Sequence, residues 1–137
     1  MKRYELIVIG AGPAGLSAAV EAANAGMSVA VFDENARPGG QLFKQIHKFF
    51  GSKEHQAKIR GFRIGQQLLK QAEEAGVEVH LNSVVMGIFD LGEITVQHGD
   101  GVCHYKGDSI LIATGACENM VPFDGCRGSW APARRRP

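Results

Sequence analysis

The residues in this sequence whose types and spacing suit a chemical role are three glycines near its start. Gly10, Gly12 and Gly15 follow an apolar stretch from Tyr4 to Ile9 that predicts a buried strand. Gly10 allows a tight turn out of the strand, Gly12 lets the backbone approach a pyrophosphate, and Gly15 lets the next helix pack closely on the strand. The unpaired N–H groups at the start of that helix then hold the phosphates. The pattern therefore indicates a dinucleotide-binding turn.

An acidic residue follows at the place where such turns have a ribose-binding partner. Asp33 ends a second apolar stretch that begins at Met27. It lies close to the spacing of about 20 residues after the glycines at which an acid accepts hydrogen bonds from ribose hydroxyls. Strand, glycine turn, helix and acid-ending strand make one βαβ unit. A tight turn with only a structural role is the alternative, and the four features together favour dinucleotide binding.

The elements that position these residues begin with a helix predicted from Pro13 to Ala25. Pro13 suits a first turn because its missing N–H would have no partner there, and Gly26 suits the position after the last turn. Farther on, Pro38-Gly39-Gly40 predicts a loop. This loop is either a surface turn or a segment that brings backbone near a ligand or another strand, with Gln41 toward the cofactor.

The second half of the chain is predicted to complete a sheet. A helix over 56–75 has apolar residues at spacings of three and four and leads to a third parallel strand over 77–81. Three short strands, 84–89, 93–97 and 102–105, are typical of an antiparallel meander. The apolar run 109–113 predicts a central parallel strand that is buried on both faces. The fold class is therefore α/β.

The composition limits the function. With 137 residues, 45% of them hydrophobic, and a formal net charge of +1, the chain has about the length of one domain. Its charge favours neither nucleic acid nor an acidic membrane as a partner. We expect no membrane span and no signal peptide, and hence a cytoplasmic protein. The cysteines and the pair His47 and His55 lack metal spacing, so no metal is expected; the cysteines are Cys103, Cys117 and Cys126.

Three motifs in order carry a family resemblance. They are the glycine turn with its acid, the run Pro38-Gly39-Gly40-Gln41-Leu42, and the run from Ile110 to Ala116. Together they resemble the N-terminal FAD-binding half of the flavoprotein oxidoreductases with two dinucleotide domains. This is the pyridine nucleotide-disulfide oxidoreductase or thioredoxin-reductase-like superfamily. The resemblance runs from Tyr4 to about Gly125.

The resemblance implies a Rossmann-like parallel sheet with an antiparallel three-stranded β-meander crossover, truncated in this chain. It implies FAD at the glycine turn and NAD(P) in a second domain that is missing here. A later segment completes the sheet in the family, so apolar surface along 110–113 should be exposed and this chain alone should be inactive. The residues that the resemblance places on FAD are Gly10, Gly12, Pro13, Ala14 and Gly15 at the pyrophosphate, Asp33 or Glu34 at the adenosine ribose, Gly40, Gln41 and Leu42 on the ribityl and flavin side, Val85 by the adenine, and Ala113, Thr114 and Gly115 near the cofactor. It assigns no catalytic residue.

Departures from the family pattern narrow the subclass. Lipoamide-dehydrogenase-like members carry two redox cysteines shortly after the Gly-Gly pair, where this chain has Gln41 and Leu42. Segments 33–41, 113–116 and 121–123 look more like the FAD subunits of amine, opine, sarcosine or hydroxyproline dehydrogenases and of cyanide-forming glycine dehydrogenase, which we favour.

The resemblance to these subunits implies an FAD-dependent oxidoreductase that moves electrons between a small-molecule substrate or NAD(P)H and an acceptor, and whose partner is a second subunit. Two alternatives are open. One is a thioredoxin-reductase-like disulfide reductase whose cysteine-bearing domain is missing. The other is a non-catalytic dinucleotide-binding remnant.

The end of the chain departs from all these patterns. Residues 1–125 are interpreted as the N-terminal part of an FAD-binding domain, whereas 126–137 have neither a helix nor a strand pattern and end in a run of arginines. One codon assignment for this tail, shifted by one base, encodes Pro-Gly-Val-Met-Gly-Ala-Gly-Ala-Ala-Gln-Thr, which resembles the family at this point. We therefore interpret 126–137 as an out-of-frame tail of a longer protein.

The gene sequence tests this interpretation. We expect that the other frame, read from about codon 126 onward, encodes the continuation of an FAD enzyme, including a second glycine motif. Sequencing the gene and the bases downstream of it checks this. A continuation with no such motif in the other frame would contradict the frame interpretation.

Overall fold

The computed structural model describes residues 1–46 and 59–116. The predictions for Cys117, Cys126, 121–123 and the tail lie outside these residues, as do those for His47 and His55. The elements are β1 (Lys2–Ile9), α1 (Pro13–Asn24), β2 (Val29–Phe32), a 3-10 helix (Gly40–Lys44), α2 (Gly61–Glu74), β3 (Glu78–His80), β4 (Ser83–Phe89), a second 3-10 helix (Asp90–Gly92), β5 (Glu93–His98) and β6 (Gly101–Ile112).

The strands of the described residues form one six-stranded mixed sheet in the order β3-β2-β1-β6-β5-β4. β1 pairs in parallel with β2 and β6, and β2 pairs in parallel with β3. β4, β5 and β6 pair antiparallel, which makes the meander. The predicted Rossmann-like sheet with a three-stranded meander is confirmed.

Two predicted boundaries were wrong. The third meander strand and the parallel strand after it were predicted as 102–105 and 109–113, but they are one continuous strand, β6. Its first half pairs with β5 and its second half continues along β1, so no turn separates them. Helix α2 begins at Gly61, after the predicted start at about residue 56, because Arg60 at the N-cap position has an extended backbone.

Helices α1 and α2 cover one face of the sheet. Leu16 and Ala19 of α1 and Ala72 of α2 are fully buried against Val8 and Val31. The alanines of α1 leave the helix thin on this side, so its axis lies close to the strands. The helical layer thereby holds the start of α1 at the carboxyl end of β1.

The meander covers the other face. Ile94 and Val96 of β5 are buried in one cluster with Ile7 of β1 and Phe32 of β2. Full burial of each such side chain contributes about 1.5–3 kcal/mol relative to exposure. The meander therefore packs across the parallel strands, as the resemblance implied, and brings the start of β4 near the end of β2.

The second half of β6 was expected to be buried on both faces, and it is not. From Ser109 to Ile112 it pairs with β1, whereas its pairing with β5 ends at Lys106. Leu111 is 37% exposed and Ile112 is 63% exposed. Among the described residues nothing pairs with this stretch on its other side. The resemblance had implied such exposure for a chain that lacks the later segment of the domain.

A polar cluster ties β1 to β3 at one edge of the parallel sheet. Lys2 Nζ donates to both carboxylate oxygens of Glu78 at 2.6 and 2.7 Å, and the Tyr4 hydroxyl donates to Glu78 Oε2 at 2.7 Å. His80 Nε2 lies 3.7 Å from Glu78 Oε2, and its ring stacks on Phe32 with centroids 4.8 Å apart. Burial raises the pKa of Tyr4 to about 12.

Two members of this cluster have lowered pKa values. Burial lowers the pKa of His80 below its usual 6.5, and the nearby carboxylate of Glu78 opposes this effect. The hydrogen bond from Lys2 is the main cause that lowers the pKa of Glu78. The neutral imidazole is therefore favoured in the folded protein, so protonating it should cost stability.

We predict that the free energy of unfolding falls as the pH drops below 6.5. Because the pKa of His80 is lower in the folded state, the unfolded chain binds the proton first, which favours unfolding until the folded pKa is passed. His80→Phe keeps the stacking on Phe32 and removes the titration. The urea midpoint should fall less between about pH 7.5 and about pH 5.5 in this variant than in the wild type. Both pH values are above the range where Glu78 titrates.

Gln67→Phe, at an exposed position of α2 that carries no titratable group, is the control for introducing a phenylalanine and should leave the wild-type pH dependence intact. An equal fall of the midpoint in the wild type and in His80→Phe would contradict the role of His80.

Candidate dinucleotide site

The glycine turn lies where the ends of β1 and β6 meet. Gly10 has a φ of 111°, in the region that favours glycine. A Cβ on Gly10 would overlap the carbonyl oxygen of Ala113, whose own N–H donates to Ile9 O at 2.8 Å. Both its conformation and its surroundings therefore require glycine at position 10, as the sequence predicted for a tight turn out of the strand.

Gly15 brings α1 against this turn. A Cβ on Gly15 would overlap the carbonyl oxygen of Gly10 and lie 3.3 Å from the Cβ of Ala113. The first turn of the helix thus packs directly on the backbone of the strand end. The close helix–strand packing that was predicted for this glycine is present.

Gly12 differs from the other two glycines of the motif, Gly10 and Gly15, because it faces open space. It is the N-cap of α1 with a φ of −73°, and no side chain caps the helix. A Cβ on Gly12 would have no atom within 4 Å, and Pro13 and Ala14 after it are exposed. An uncapped helix start with room above its backbone fits a phosphate group. The residues present therefore fit the pyrophosphate of a dinucleotide.

Asp33 joins the end of β2 to the glycine turn. Its carboxylate is almost fully buried, with the residue 8% exposed. Oδ2 accepts a hydrogen bond from the N–H of Ala11 at 2.6 Å. Oδ1 accepts two bonds from Asn35, from the backbone N–H at 2.8 Å and from the side-chain amide at 2.9 Å. The acid thus holds the second residue of the turn in place.

A cleft of about 230 Å³ opens beside the turn. Pockets for drug-sized ligands occupy about 300–1,000 Å³, so this cleft suits one nucleoside half of a dinucleotide and not the whole molecule. Its lining includes five residues predicted for the site, namely Gly10, Asp33, Glu34, Val85 and Thr114. Sequence reasoning missed five others, namely Ile9, Phe32, Asn35, Ser83 and Val84.

Ser83 is the missed residue with the most polar contacts. Its N–H donates to Asp33 O at 2.8 Å, and its hydroxyl lies 3.0 Å from both Leu81 O and His98 Nδ1. These contacts fix the start of β4 beside the end of β2, so the two walls of the cleft are tied together. The only local signal was Asn82, whose φ of 51° is one that asparagine tolerates in turns.

The loop with the Gly-Gly pair lies on the turn but outside the cleft. Gly39 is buried, and its N–H donates to Ala11 O at 2.7 Å. The Gly-Gly pair therefore brings backbone close to another part of the chain, as expected for two adjacent glycines, while residues 34–37 of the same loop are exposed. That Gln41 faces the cofactor stays a prediction. Gly40, Gln41 and Leu42 form the 3-10 helix that follows, with Gln41 exposed.

The residues after β6 divide between two environments. Ala113 packs on the glycine turn and Thr114 lines the cleft. Gly115 is exposed with a φ of 73°. The turn and the cleft therefore bring together the predicted positions from Gly10 to Glu34 with Val85, Ala113 and Thr114, and Gly40 lies against Gly12 of the turn. Gln41, Leu42 and Gly115 are not among the residues that line the cleft.

The described parts of the chain hold neither a metal cluster nor a membrane helix. Residues 1–46 and 59–116 contain no group of three or more histidine, cysteine, aspartate or glutamate side chains arranged to hold a metal. Within the same residues, no helix has the length and apolar character needed to cross a membrane.

A Rossmann-type sheet with a glycine turn after its first strand, a meander across one face and helices on the other is the FAD/NAD(P)-binding fold. The chain belongs to the pyridine nucleotide-disulphide oxidoreductase family, whose model matches residues 4–134. The resemblance to this superfamily that the sequence motifs carried is confirmed. Members of the family are oxidoreductases that use FAD as their flavin cofactor.

Curated relatives support the same family. An opine oxidase subunit from Rhizobium meliloti (strain 1021) is 32% identical over 127 residues, which is 91% of this chain and 27% of the relative. Thioredoxin reductase of Peptoclostridium acidaminophilum is 33% identical over 127 residues, 91% of this chain and 38% of the relative. The chain therefore spans between about a quarter and two fifths of the length of these relatives.

Solved structures share the fold. Thioredoxin reductase from Streptococcus pyogenes is similar with a TM-score of 0.68 and 29% identity, covering 87% of this chain and 37% of that one. L-proline dehydrogenase from P. horikoshii is similar with a TM-score of 0.75 and 25% identity, covering 88% of this chain and 24% of that one. The six-stranded sheet thus corresponds to one part of larger proteins.

We predict that alanine at Gly15 and alanine at Gly12 have different effects on stability. Gly15→Ala places a methyl group on the carbonyl of Gly10, and such overpacking costs about 1–3 kcal/mol. Gly12→Ala meets no atom and should change stability by about 1 kcal/mol or less. Thermal unfolding followed by circular dichroism measures both. A melting temperature lowered as much by Gly12→Ala as by Gly15→Ala would contradict this account of the turn.

Proposed function

We propose that this chain is the N-terminal FAD-binding part of an FAD-dependent oxidoreductase, with the FAD-binding residues within 1–125. The enzyme moves electrons between a small-molecule substrate or NAD(P)H and an acceptor. The observation that carries the proposal is the open, uncapped start of α1 at Gly12 beside a cleft of nucleoside size. Bound FAD supplies the electron chemistry. The residues of this chain bind and orient it.

The start of α1 receives the pyrophosphate. The first N–H groups of a helix have no intrahelical partner, and the positive end of the helix dipole favours an anion. Gly12 leaves room for the phosphate oxygens, and Pro13 and Ala14 present no charge that repels them. Gly10 and Gly15 act through the packing that holds the helix start in place.

The two acids beside the expected ribose position have different roles. Oδ1 of Asp33 accepts two hydrogen bonds from Asn35, and Oδ2 accepts one from Ala11, so most of its acceptor capacity serves the turn itself. Glu34 is exposed and lines the same cleft. We assign the ribose hydroxyls mainly to Glu34, and to Asp33 the orientation of the turn. Both carboxylates disfavour a 2′-phosphate, so the site should prefer FAD or an NAD-like ligand to NADP.

The favoured subclass is the FAD subunit of an amine- or opine-type dehydrogenase that works with a second subunit. Similarity to proteins named as subunits of opine oxidase and of sarcosine oxidase supports this assignment. Similarity to thioredoxin reductases supports the second candidate, a disulfide reductase with its cysteine pair in another domain. A downstream cysteine pair with thioredoxin-linked activity selects the second candidate; its absence, with dye-linked oxidation of an amine or opine, selects the first.

We predict that changes at the two acids lower FAD retention in different ways. In the full-length protein, Glu34→Ala should reduce the flavin-to-protein ratio on purification without lowering the melting temperature of the flavin-free apoprotein, in which bound FAD no longer adds stability. Asp33→Ala should reduce both the flavin content and the melting temperature, because it leaves the buried N–H of Ala11 without an acceptor at a cost of about 1–3 kcal/mol. Visible absorbance and thermal unfolding measure the two effects. Glu93→Ala, at a partly buried acid in β5 away from the cleft, is the control for flavin content.

Unchanged flavin content in both acid variants would count against the ribose assignment. Loss of flavin from the control variant as well would show a general loss of structure.

A further inference from the structure

Two glycines on α2 contact the loop that lies on the glycine turn. Gly61 and Gly65 are buried and stand one helical turn apart on the same face of α2. A Cβ on Gly65 would lie 3.0 Å from the Cα of Gly39 and 3.2 Å from Pro38 O. From the other side, a Cβ on Gly39 would lie 2.9 Å from the Cα of Gly65. Helix and loop therefore meet backbone to backbone.

The second glycine of the helix holds the continuation of the loop. A Cβ on Gly61 would lie 2.6 Å from Leu42 O and 2.9 Å from the Cβ of Gln45. Leu42 and Gln45 belong to the 3-10 helix and its cap. Gly61 and Gly65 thus seat the loop and the 3-10 helix along one face of α2.

The opposite side of the loop rests on the glycine turn. Gly39 donates its N–H to Ala11 O at 2.7 Å, and a Cβ on Gly40 would lie 3.2 Å from the Cα of Gly12. Gly39 and Gly40 have φ values of 98° and 52°. The loop is therefore enclosed between α2 and the turn with no side chain as a spacer on either side, so a shift of α2 shifts the loop.

The loop serves the side of the turn that faces away from the nucleoside cleft. The cleft lies between the end of β2 and the start of β4, and none of Gly39 to Leu42 is among its lining residues. Gly40 instead lies next to Gly12 and Pro13, where α1 begins. A ligand that has its adenosine in the cleft and its phosphates at Gly12 would therefore extend its other half past this loop.

We propose that Gly61 and Gly65 are positioning residues for the dinucleotide site. They set the distance between the loop and the glycine turn, and through it the binding of the ligand half beyond the pyrophosphate, which they do not touch. This inference rests on the proposed FAD function. It makes α2 a support of the flavin side of the site, as Asp33 is a support of the adenosine side.

The direction in which Gly65→Ala changes stability and ligand binding separates a positioning role from a role in the helix alone. Glycine inside a helix is less favourable than alanine, so Gly65→Ala by itself favours the helix. If Gly65 mattered only for α2, the alanine variant would be at least as stable as the wild type and would bind ligand equally well. If Gly65 positions the loop, the added methyl group displaces Gly39 and weakens the binding of the flavin half.

The test uses the full-length protein with two probes, FAD and AMP. Titration followed by flavin fluorescence gives the Kd of FAD, calorimetry gives that of AMP, and visible circular dichroism reports the surroundings of the bound flavin. Gly65→Ala should raise the Kd of FAD about ten-fold, alter the visible spectrum and leave the Kd of AMP within about two-fold, by the physical separation of loop and cleft. Gly61→Ala should have a larger effect on FAD.

Gln67→Ala changes an exposed residue of the same helix and should leave both Kd values and the spectrum unchanged. If Gly61→Ala does not fold, Gly65→Ala carries the test, because its closest neighbour needs to move by only a few tenths of an ångström. A Kd of FAD within two-fold of wild type, or equal losses for AMP and FAD, would overturn the inference. A wild-type protein that does not bind FAD would instead overturn the proposed function.

Discussion

The contact on which the rest of this structure depends is that between backbone and backbone at the carboxyl end of β1. Gly10 leaves the strand against the carbonyl of Ala113, and Gly15 sets the first turn of α1 on the carbonyl of Gly10. Because no side chain intervenes, the helix start lies directly at the strand ends. This places uncapped N–H groups of α1 between the cleft and the Gly39 loop, and both neighbouring regions take their positions from it.

The surroundings of this contact are held by hydrogen bonds from three directions. Asp33 accepts from Ala11 at 2.6 Å, Gly39 donates to Ala11 O at 2.7 Å, and Ser83 donates to Asp33 O at 2.8 Å. The turn, the end of β2, the loop and the start of β4 are thereby joined through two residues, Ala11 and Asp33. A buried acid that accepts several N–H bonds orients the backbone around it. Asp33, the acid that the sequence marks most clearly as a ribose ligand, therefore also stabilises the turn.

Within the part of the chain that the structure describes, the second half of β6 pairs on one side only. Ser109 to Ile112 pair on one side with β1, and Leu111 and Ile112 remain exposed. Solved relatives of similar fold are longer, with this chain covering 37% and 24% of two of them. Exposed apolar residues on a strand edge without a partner among the described residues favour association with another strand or another copy of the chain.

The sequence alone determined the βαβ unit and the meander, because glycine conformation, strand length and hydrophobic periodicity are local properties. It also predicted that Gly10, Gly12, Gly15 and Asp33 lie close together, and they do, since the carboxyl ends of neighbouring parallel strands share one edge. Only the tertiary structure decided that β6 is one strand, that Ser83 lines the cleft, and that Gly61 and Gly65 contact the loop. Those results depend on how the meander and α2 cross the sheet, and contacts between residues distant in sequence leave no local pattern.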